Sequence, residues 1–194
     1  MAAAALRITR ATRRDVPTLL AFIRGLARYE RLSRECRATA ARVRHDAFGP
    51  RRYFEALVCR RGRRAIGFAI YYFTYSTFRA APTLYIEDLF VRPQERGRGV
   101  GRALLVALAR LALRRRCASM EWTVLDWNAP AIRFYRVLGA QLRREWILTR
   151  LTGAPLQRLA RASTPDGGAA RRRSRGSRRG ARAARPRTSR PAGR

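Results

Sequence analysis

Apolar residues recur at two different spacings along this chain, and the spacing separates predicted helices from predicted strands. A short strand is predicted over 6–8, and Asp15 is a typical N-terminal cap for the helix that follows. Residues 19–27 place apolar side chains three and four positions apart, which is the period of one helix face. A second helix is predicted over 38–48, where a glycine–proline pair ends it.

Three longer segments have the composition of buried strands, rich in β-branched and aromatic residues. They span 54–60, 65–75 and 83–91, and a turn at Gly62 joins the first two. The third strand is predicted to face the core through Leu84, Ile86 and Leu89.

The second half of the chain continues this alternation. A loop over 92–101 leads into an amphipathic helix that extends to about Arg116. A strand at 120–125, a helix at 129–138 and a last strand at 145–150 follow. Alternating strands and helices predict an α/β (α+β) fold, a mixed central sheet with helices on both faces.

Composition divides the chain near residue 158. The first 158 residues have the apolar content of one domain, whereas Leu159 is the last large aliphatic residue. The segment 160–194 contains twelve arginines and one aspartate among small and polar residues. Such a segment buries too little apolar surface to offset its ordering entropy, so 159–194 is predicted to be a disordered tail.

The formal net charge of +32 suggests nucleic acid as a partner, because clustered cations release counterions from phosphates. All 44 basic residues are arginine, and Asn128 is the only asparagine. Arginine has G/C-rich codons whereas lysine and asparagine have A/T-rich ones, so a high-GC genome accounts for the general basicity. Nucleic-acid binding stays an alternative function that the tail alone would provide.

Cysteine and histidine usage excludes several kinds of chemistry. Three widely spaced cysteines form neither a disulfide framework nor a metal-ligand pattern, and free thiols are typical of a cytoplasmic protein. A single histidine, His45, argues against a His-based metal site or a histidine-activated nucleophile. We expect no metal, and no membrane attachment because the apolar run at 66–73 is too short to span a bilayer.

A glycine-rich loop between a strand and a helix is the strongest local signal for function. Gly97, Gly99 and Gly101 let the backbone approach a ligand closely, and the following helix start presents unpaired N–H groups to an anion. A P-loop requires a lysine that this chain lacks, and the glycine spacing differs from the dinucleotide fingerprint. Taken alone, the loop is also explained as a tight strand-to-helix turn.

Two segments carry a resemblance to a known family. Arg96-x-x-Gly99-x-Gly101 resembles the Q/R-x-x-G-x-G/A loop of the GNAT acetyltransferases, which holds the pyrophosphate of acetyl-coenzyme A. The segment from Asn128 to Tyr135 is similar to the N-x-x-A/S-x-x-F-Y pattern on a helix that flanks the coenzyme in that family. Asn128 and Tyr135 are two helical turns apart and therefore share one edge of the helix.

Within that family the chain looks like the spermidine/spermine N-acetyltransferase subfamily, over most of residues 5–151. The matching stretches are LARYE at 26–30, GFAIYYFTY at 67–75, LYIEDLFV at 84–91 and WN-x-P at 127–130. The resemblance implies the GNAT fold, acetyl-coenzyme A as co-substrate, a small polycationic amine as acceptor and a homodimer. Ser76 departs from an aspartate often found there, which favours a shorter amine or a diamino acid such as thialysine.

The resemblance also implies roles for residues, in a direct attack of the amine on the thioester. Tyr135 is the proton donor to the departing thiolate, since a phenol stays protonated at neutral pH. Glu87 binds the ammonium and acts as base through water. The expected coenzyme contacts are Leu89, Phe90, Val91, Arg96, Gly97, Arg98, Gly99, Val100, Gly101, Arg102, Asn128, Ala129, Pro130 and Ala131. The expected amine contacts are Tyr29, Glu30, Glu87, Asp88, Glu121, Trp122, Thr123 and Glu145.

Other interpretations stay open at this stage. The acidic residues form surface ion pairs with arginine in the simpler alternative. A GNAT enzyme of this size could equally acetylate a protein N-terminus, a lysine side chain or an aminoglycoside. A degenerate protein that binds the coenzyme without catalysis is the third alternative.

Overall fold

A computed structural model describes residues 5–162, which fall into two compact units that divide after Ala140. The first unit contains a five-stranded sheet in the order β1-β2-β3-β4-β5. The strands are β1 (Leu6–Arg10), β2 (Glu55–Arg61), β3 (Arg64–Ser76), β4 (Ala81–Val91) and β5 (Ser119–Trp122). The pairs β1–β2, β2–β3 and β3–β4 are antiparallel, whereas β5 runs parallel to β4. The predicted mixed sheet is therefore confirmed.

Four helices belong to the first unit, and a fifth lies in the second unit. They are α1 (Val16–Tyr29), α2 (Ala40–Phe48), α3 (Val100–Arg114), α4 (Ala129–Val137) and α5 (Gly153–Arg161). The predicted helices agree closely with α1 to α4, whereas α5 has no counterpart in the sequence prediction. Asp15 does precede α1, but its side chain makes no cap hydrogen bond and instead pairs with Arg60 of β2.

Both faces of the sheet are buried. On one face, Leu57 of β2 joins Leu104 and Leu108 in a cluster that α3 covers. On the other face, Val58 joins Phe22 in a cluster that α1 and α2 cover. The prediction of helices on both faces is confirmed. Burial on both sides also explains why the strand segments are almost continuously apolar.

An irregularity interrupts the pairing of β3 with β4. Ile86 lies opposite Tyr71, but Asp88 lies opposite Ile70, so Glu87 is an extra residue in β4. A bulge of this kind leaves one residue unpaired and bends the strand locally.

The bulge also changes which face the side chains of β4 point to. Leu84 and Ile86 lie in the cluster under α3, and Leu89 packs against the same cluster. Phe90 lies in the cluster under α1. The predicted inward orientation of Leu84, Ile86 and Leu89 is confirmed. Leu89 shares a face with Leu84 and Ile86 because the extra residue at the bulge shifts the alternation of side chains by one position.

The predicted last strand over 145–150 is wrong. These residues pair with no strand in the described part of the chain, and Trp146, Ile147 and Leu148 are all exposed. Strand propensity alone does not form a strand, because the gain comes from a pairing neighbour and a half-buried face. Similarly, β5 ends at Trp122 rather than at 125.

The predicted start of the tail, at residue 159, falls inside α5. The remainder of the tail prediction, including its attraction for nucleic acid, concerns 163–194 and lies outside the described residues. Between residues 5 and 162, no helix has the length and apolar content that crossing a membrane requires.

Candidate functional site

Strands β4 and β5 separate at the bulge. Their parallel pairing ends with Ile86 opposite Trp122, and β4 continues to Val91 with no β5 partner among the described residues. The backbone of 87–91 therefore borders an opening on this side of β4. Three of the predicted coenzyme contacts, Leu89, Phe90 and Val91, lie along it. The bulge at Glu87 stands at the beginning of this segment.

The loop between β4 and α3 leaves several N–H groups without a helical partner. Gly97 and Gly99 have φ angles of 72° and 78°, which glycine adopts without strain. The first hydrogen bond of α3 runs from the Ala103 N–H to the Gly99 carbonyl, at 2.9 Å. The N–H groups of 100–102 precede that bond and, together with the helix dipole, form a site for an anion.

Arg96 lies beside this loop and packs on an aromatic ring. Its guanidinium carbon is 4.4 Å from the centre of the Tyr29 ring and 5.9 Å from that of Phe90. The Arg96 Nε also donates a hydrogen bond of 3.2 Å to the Val91 carbonyl. The predicted basic residue of the loop is thus held between α1 and β4, at the end of the opening.

Sequence reasoning missed Glu95, whose carboxylate is buried under the same loop. Its Oε2 lies 3.2 Å from a guanidinium nitrogen of Arg61 and 3.8 Å from one of Arg98. A buried carboxylate requires cationic partners, which Arg61 and Arg98 supply here. The available signal was an acidic residue inside an arginine-rich loop.

Asn128 begins α4 and connects it to α1. Its side-chain Oδ1 accepts hydrogen bonds from the Ala131 N–H at 3.3 Å and from the Tyr29 hydroxyl at 3.0 Å. Pro130 stands in the first turn, where its missing N–H costs nothing. The Trp127 and Tyr29 ring centres are 6.0 Å apart. The structure therefore brings Tyr29 to the N-terminus of α4.

Tyr135 lies on the same helix in an aromatic environment. Its ring centre is 5.1 Å from that of Trp122 and 5.3 Å from that of Phe134. Burial is the main cause that raises the pKa of Tyr135 to about 12, and the neighbouring Glu30 and Tyr29 contribute to the increase. The phenol therefore keeps its proton throughout the neutral range.

Glu30 is the carboxylate that acts on this phenol, and it also acts on Asp88. Burial, together with the charges of Glu87 and Glu30, raises the pKa of Asp88 to about 7. Burial also raises the pKa of Glu30. Glu30 therefore influences both Asp88 and Tyr135, whereas Glu87 influences Asp88.

The sequence profile of the Acetyltransferase (GNAT) family matches residues 21–140, a range that contains the loop, the bulge, the carboxylates and Tyr135. The chain belongs to the GNAT acetyltransferase family. The match confirms the predicted fold, family and acetyltransferase activity. GNAT enzymes use acetyl-coenzyme A as co-substrate.

Individual relatives of this GNAT chain agree with the family match. Thialysine N-epsilon-acetyltransferase of Mus musculus is 34% identical over 168 residues, which cover 81% of this chain and 98% of the relative. Spermidine/spermine N(1)-acetyltransferase-like protein 1 of Homo sapiens is 33% identical over 65% of this chain and 19% of the relative. An integron cassette protein from the mobile metagenome of V. cholerae has 26% identity and a TM-score of 0.70, covering 81% and 98% of the two chains.

The remaining predicted amine contacts lie on β5, directly after β5 and in the second unit. Glu121 is exposed on β5 and accepts a hydrogen bond of 3.0 Å from the Ser119 hydroxyl. Trp122 packs on Tyr135, and Thr123 is exposed just after β5. Glu145 belongs to the second unit, where it is exposed and paired with Arg143. In residues 5–162, His, Cys, Asp and Glu form no group of three that could hold a metal ion.

The sequence analysis also missed Tyr72 and Tyr85 as members of this region. They lie directly opposite each other on β3 and β4, with ring centres 5.2 Å apart. The Tyr72 hydroxyl donates to Glu87 Oε2 at 3.2 Å. The run of aromatic residues in β3 contained the signal, but only the strand register shows which of them face Glu87.

Proposed function

We propose that this enzyme acetylates a primary amine of a small diamine, polyamine or diamino acid of the thialysine type. The observation that supports the proposal is the repulsion that Glu30 and Glu87 exert on Asp88, together with the influence of Glu30 on Tyr135. A second ammonium on the substrate would relieve their mutual repulsion, which a neutral or anionic acceptor would not do. The names of the mouse and human relatives agree with a substrate of this class.

The residues around the loop fit acetyl-coenzyme A. The N–H groups of 100–102 offer donors to a diphosphate, and the unpaired side of 87–91 offers backbone groups to an extended chain. Bound in this way, acetyl-coenzyme A supplies a thioester acetyl group to the attacking nitrogen. We propose Arg96, Arg98 and the first turn of α4 as further contacts.

Glu87 and Asp88 serve as the acceptor of the ammonium proton, directly or through one water. Asp88 has a pKa of about 7, which is suited to taking a proton near neutral pH. Glu87 precedes Asp88 in the bulge of β4, so the base is assigned to both carboxylates rather than to Glu87 alone. Glu30 then holds the second cationic group of the substrate.

Tyr135 supplies the proton for the leaving sulfur. Its hydroxyl is protonated across the working range because burial raises its pKa to about 12. The ring is held by Trp122 and Phe134, which leaves the hydroxyl as the group free to donate. The ammonium loses one proton to a carboxylate before the attack and a second to solvent after the C–N bond has formed. The phenol protonates the sulfur as the C–S bond breaks, and it regains its proton from solvent.

The test is thiol release from acetyl-coenzyme A with a panel of amines. Putrescine, spermidine, spermine, lysine and thialysine represent the proposed class, and a peptide N-terminus and an aminoglycoside represent the alternatives. We expect turnover of the first group, with thialysine and putrescine preferred to spermine because Ser76 supplies no carboxylate. Turnover confined to the peptide or the aminoglycoside would reject the proposed class.

We also propose that the enzyme is a cytoplasmic homodimer. The free thiols of Cys36, Cys59 and Cys117 suit a reducing compartment. The exposed apolar run at 146–148 is a surface that a second copy could cover. Light scattering of the purified full chain tests the dimer, and a single-chain mass at all concentrations contradicts it.

Nucleic-acid binding through the arginine-rich tail is a separate proposal with its own test. It predicts salt-dependent binding to DNA or RNA that is lost on deleting 163–194 while acetylation continues. Nucleic-acid binding that survives the deletion would show that another part of the chain binds the nucleic acid.

A further inference from the structure

Tyr29 joins two helices that are distant in sequence. It is the last residue of α1, and its hydroxyl donates a hydrogen bond of 3.0 Å to Oδ1 of Asn128, which precedes α4. Asn128 is buried, with 8% of its surface exposed, so water does not readily replace this bond. The contact lies at the start of the helix that carries Tyr135.

The hydrogen bond completes a cap. Asn128 Oδ1 also accepts from the Ala131 N–H at 3.3 Å, which is the usual capping interaction of a first helical turn. With two donors on one oxygen, the amide plane is fixed relative to both α1 and α4. Loss of the Tyr29 hydroxyl would leave only the capping bond from Ala131, and the start of α4 would then be free to pivot relative to α1.

A small pivot at this cap reaches the phenol of Tyr135. Seven residues separate Asn128 from Tyr135, which is about 10 Å along a helix. A tilt of about 6° at the cap therefore moves Tyr135 by about 1 Å, a displacement that can cost up to about 100-fold in rate at a reacting centre. The position of the proton donor depends on how α4 is held.

The ring of Tyr29 is already occupied by protein groups. The Arg96 guanidinium lies 4.4 Å from its centre, and the Trp127 ring centre lies 6.0 Å away. Since its hydroxyl is also engaged, Tyr29 offers little to an amine. The contacts differ from those expected of a substrate-binding residue.

We infer that Tyr29 is a positioning residue: through its hydrogen bond to Asn128 it sets the orientation of α4 and thereby aims the Tyr135 hydroxyl. This rests on the proposed function of Tyr135 as proton donor. A positioning role lowers kcat and leaves the KM of both substrates unchanged, whereas a substrate contact raises the KM of the amine.

The test is a double-mutant cycle on the full chain with Tyr29→Phe, Tyr135→Phe and the pair. Tyr29→Phe keeps the ring on which Arg96 packs and removes only the hydroxyl. We expect it to lower kcat about tenfold, with both KM values within twofold of wild type and the thermal midpoint lowered by no more than about 2 to 4 °C. In the Tyr135→Phe background the same change should alter kcat by less than twofold, because the group it aims is gone.

Tyr53→Phe is the matched control, since Tyr53 is exposed and its ring faces Arg51 instead. A tenfold loss that persists in the Tyr135→Phe background overturns the inference, and so does an increase in the amine KM at unchanged kcat. Failure of the proposed function is recognised separately, as a wild-type protein that releases no thiol with any amine, or as Tyr135→Phe with the wild-type rate. A wild-type rate for Tyr135→Phe would also exclude Tyr135 as the group through which Tyr29 is inferred to act.

Discussion

Tyr72 of β3 and Glu87 of β4 are joined by a hydrogen bond of 3.2 Å from the phenol to the carboxylate Oε2. Glu87 is the extra residue of the bulge, and it has no residue opposite it on β3. A bulge changes the direction of a side chain, and here the Tyr72 phenol on the adjacent strand holds the redirected carboxylate of Glu87. Burial and the neighbouring Glu87 together raise the pKa of Tyr72 to about 12, so the phenol remains a donor.

Replacing Glu87 tests whether this carboxylate binds a cation. Glu87→Gln keeps the shape and the hydrogen bond with Tyr72 but removes the charge. Loss of a charge-assisted contact is expected to lower kcat/KM for the best diamine by about 10- to 100-fold. Steady-state thiol release measures the effect, and Tyr72→Phe, which keeps the charge, is the control expected to change kcat/KM by only a few-fold. Equal losses in the two variants would argue against a charge-based role.

Tyr135→Phe is expected to reduce kcat by about 10²- to 10⁴-fold, because it removes the proton donor to the leaving sulfur. Coenzyme binding, measured by calorimetry, should persist, since the loop N–H groups of 100–102 are unchanged. The pH–rate profile should show no loss attributable to this phenol below about pH 10, given its pKa of about 12. A variant with unaltered kcat would contradict the assignment.

Asp88 predicts how stability depends on pH in the ligand-free protein. Its pKa is raised from 3.8 to about 7 by burial and by two neighbouring carboxylates, so the folded state holds a proton that the unfolded chain has released between these values. Its contribution is complete below pH 4 and is lost as the pH rises to about 7. Urea unfolding at several pH values should show the free energy of unfolding falling across this window, and less steeply in Asp88→Asn. Parallel pH profiles for the two proteins would disprove the explanation.

Two glycines of the loop are expected to respond oppositely to alanine. Gly99 has a φ of 78°, so Gly99→Ala should cost about 1 to 2 kcal/mol of folding free energy and weaken coenzyme binding. Gly101 lies in α3, where a methyl group would meet Phe134 at an ordinary 3.5 Å. Gly101→Ala should therefore be neutral or stabilise by up to about 1 kcal/mol. Chemical denaturation measures both changes, and a similar loss in the two variants would refute the distinction.

The sequence by itself determined the elements of the first unit and the location of the loop. The helix periodicity of α1 and α3 is a local property, and so is the apolar composition of β2 to β4. In each case the face that the sequence predicts to be apolar is the face that the structure buries. The Arg96-to-Gly101 spacing was equally informative, because the positive φ angles at Gly97 and Gly99 restrict the residues that can occupy those positions. Segment 145–150 marks the limit of prediction from the sequence, since it has strand composition but pairs with no strand among residues 5–162.

Only the tertiary structure decided which distant residues act on one another. The bond between Tyr29 and Asn128 spans 99 positions, and the gathering of Glu30 with Glu87 and Asp88 depends on where α1 ends over the bulge in β4. A pKa near 7 for Asp88 likewise comes from burial and neighbouring charge, which no local pattern encodes. Sequence specifies the conformations available to each segment, whereas distances and solvent exposure arise only when the segments pack.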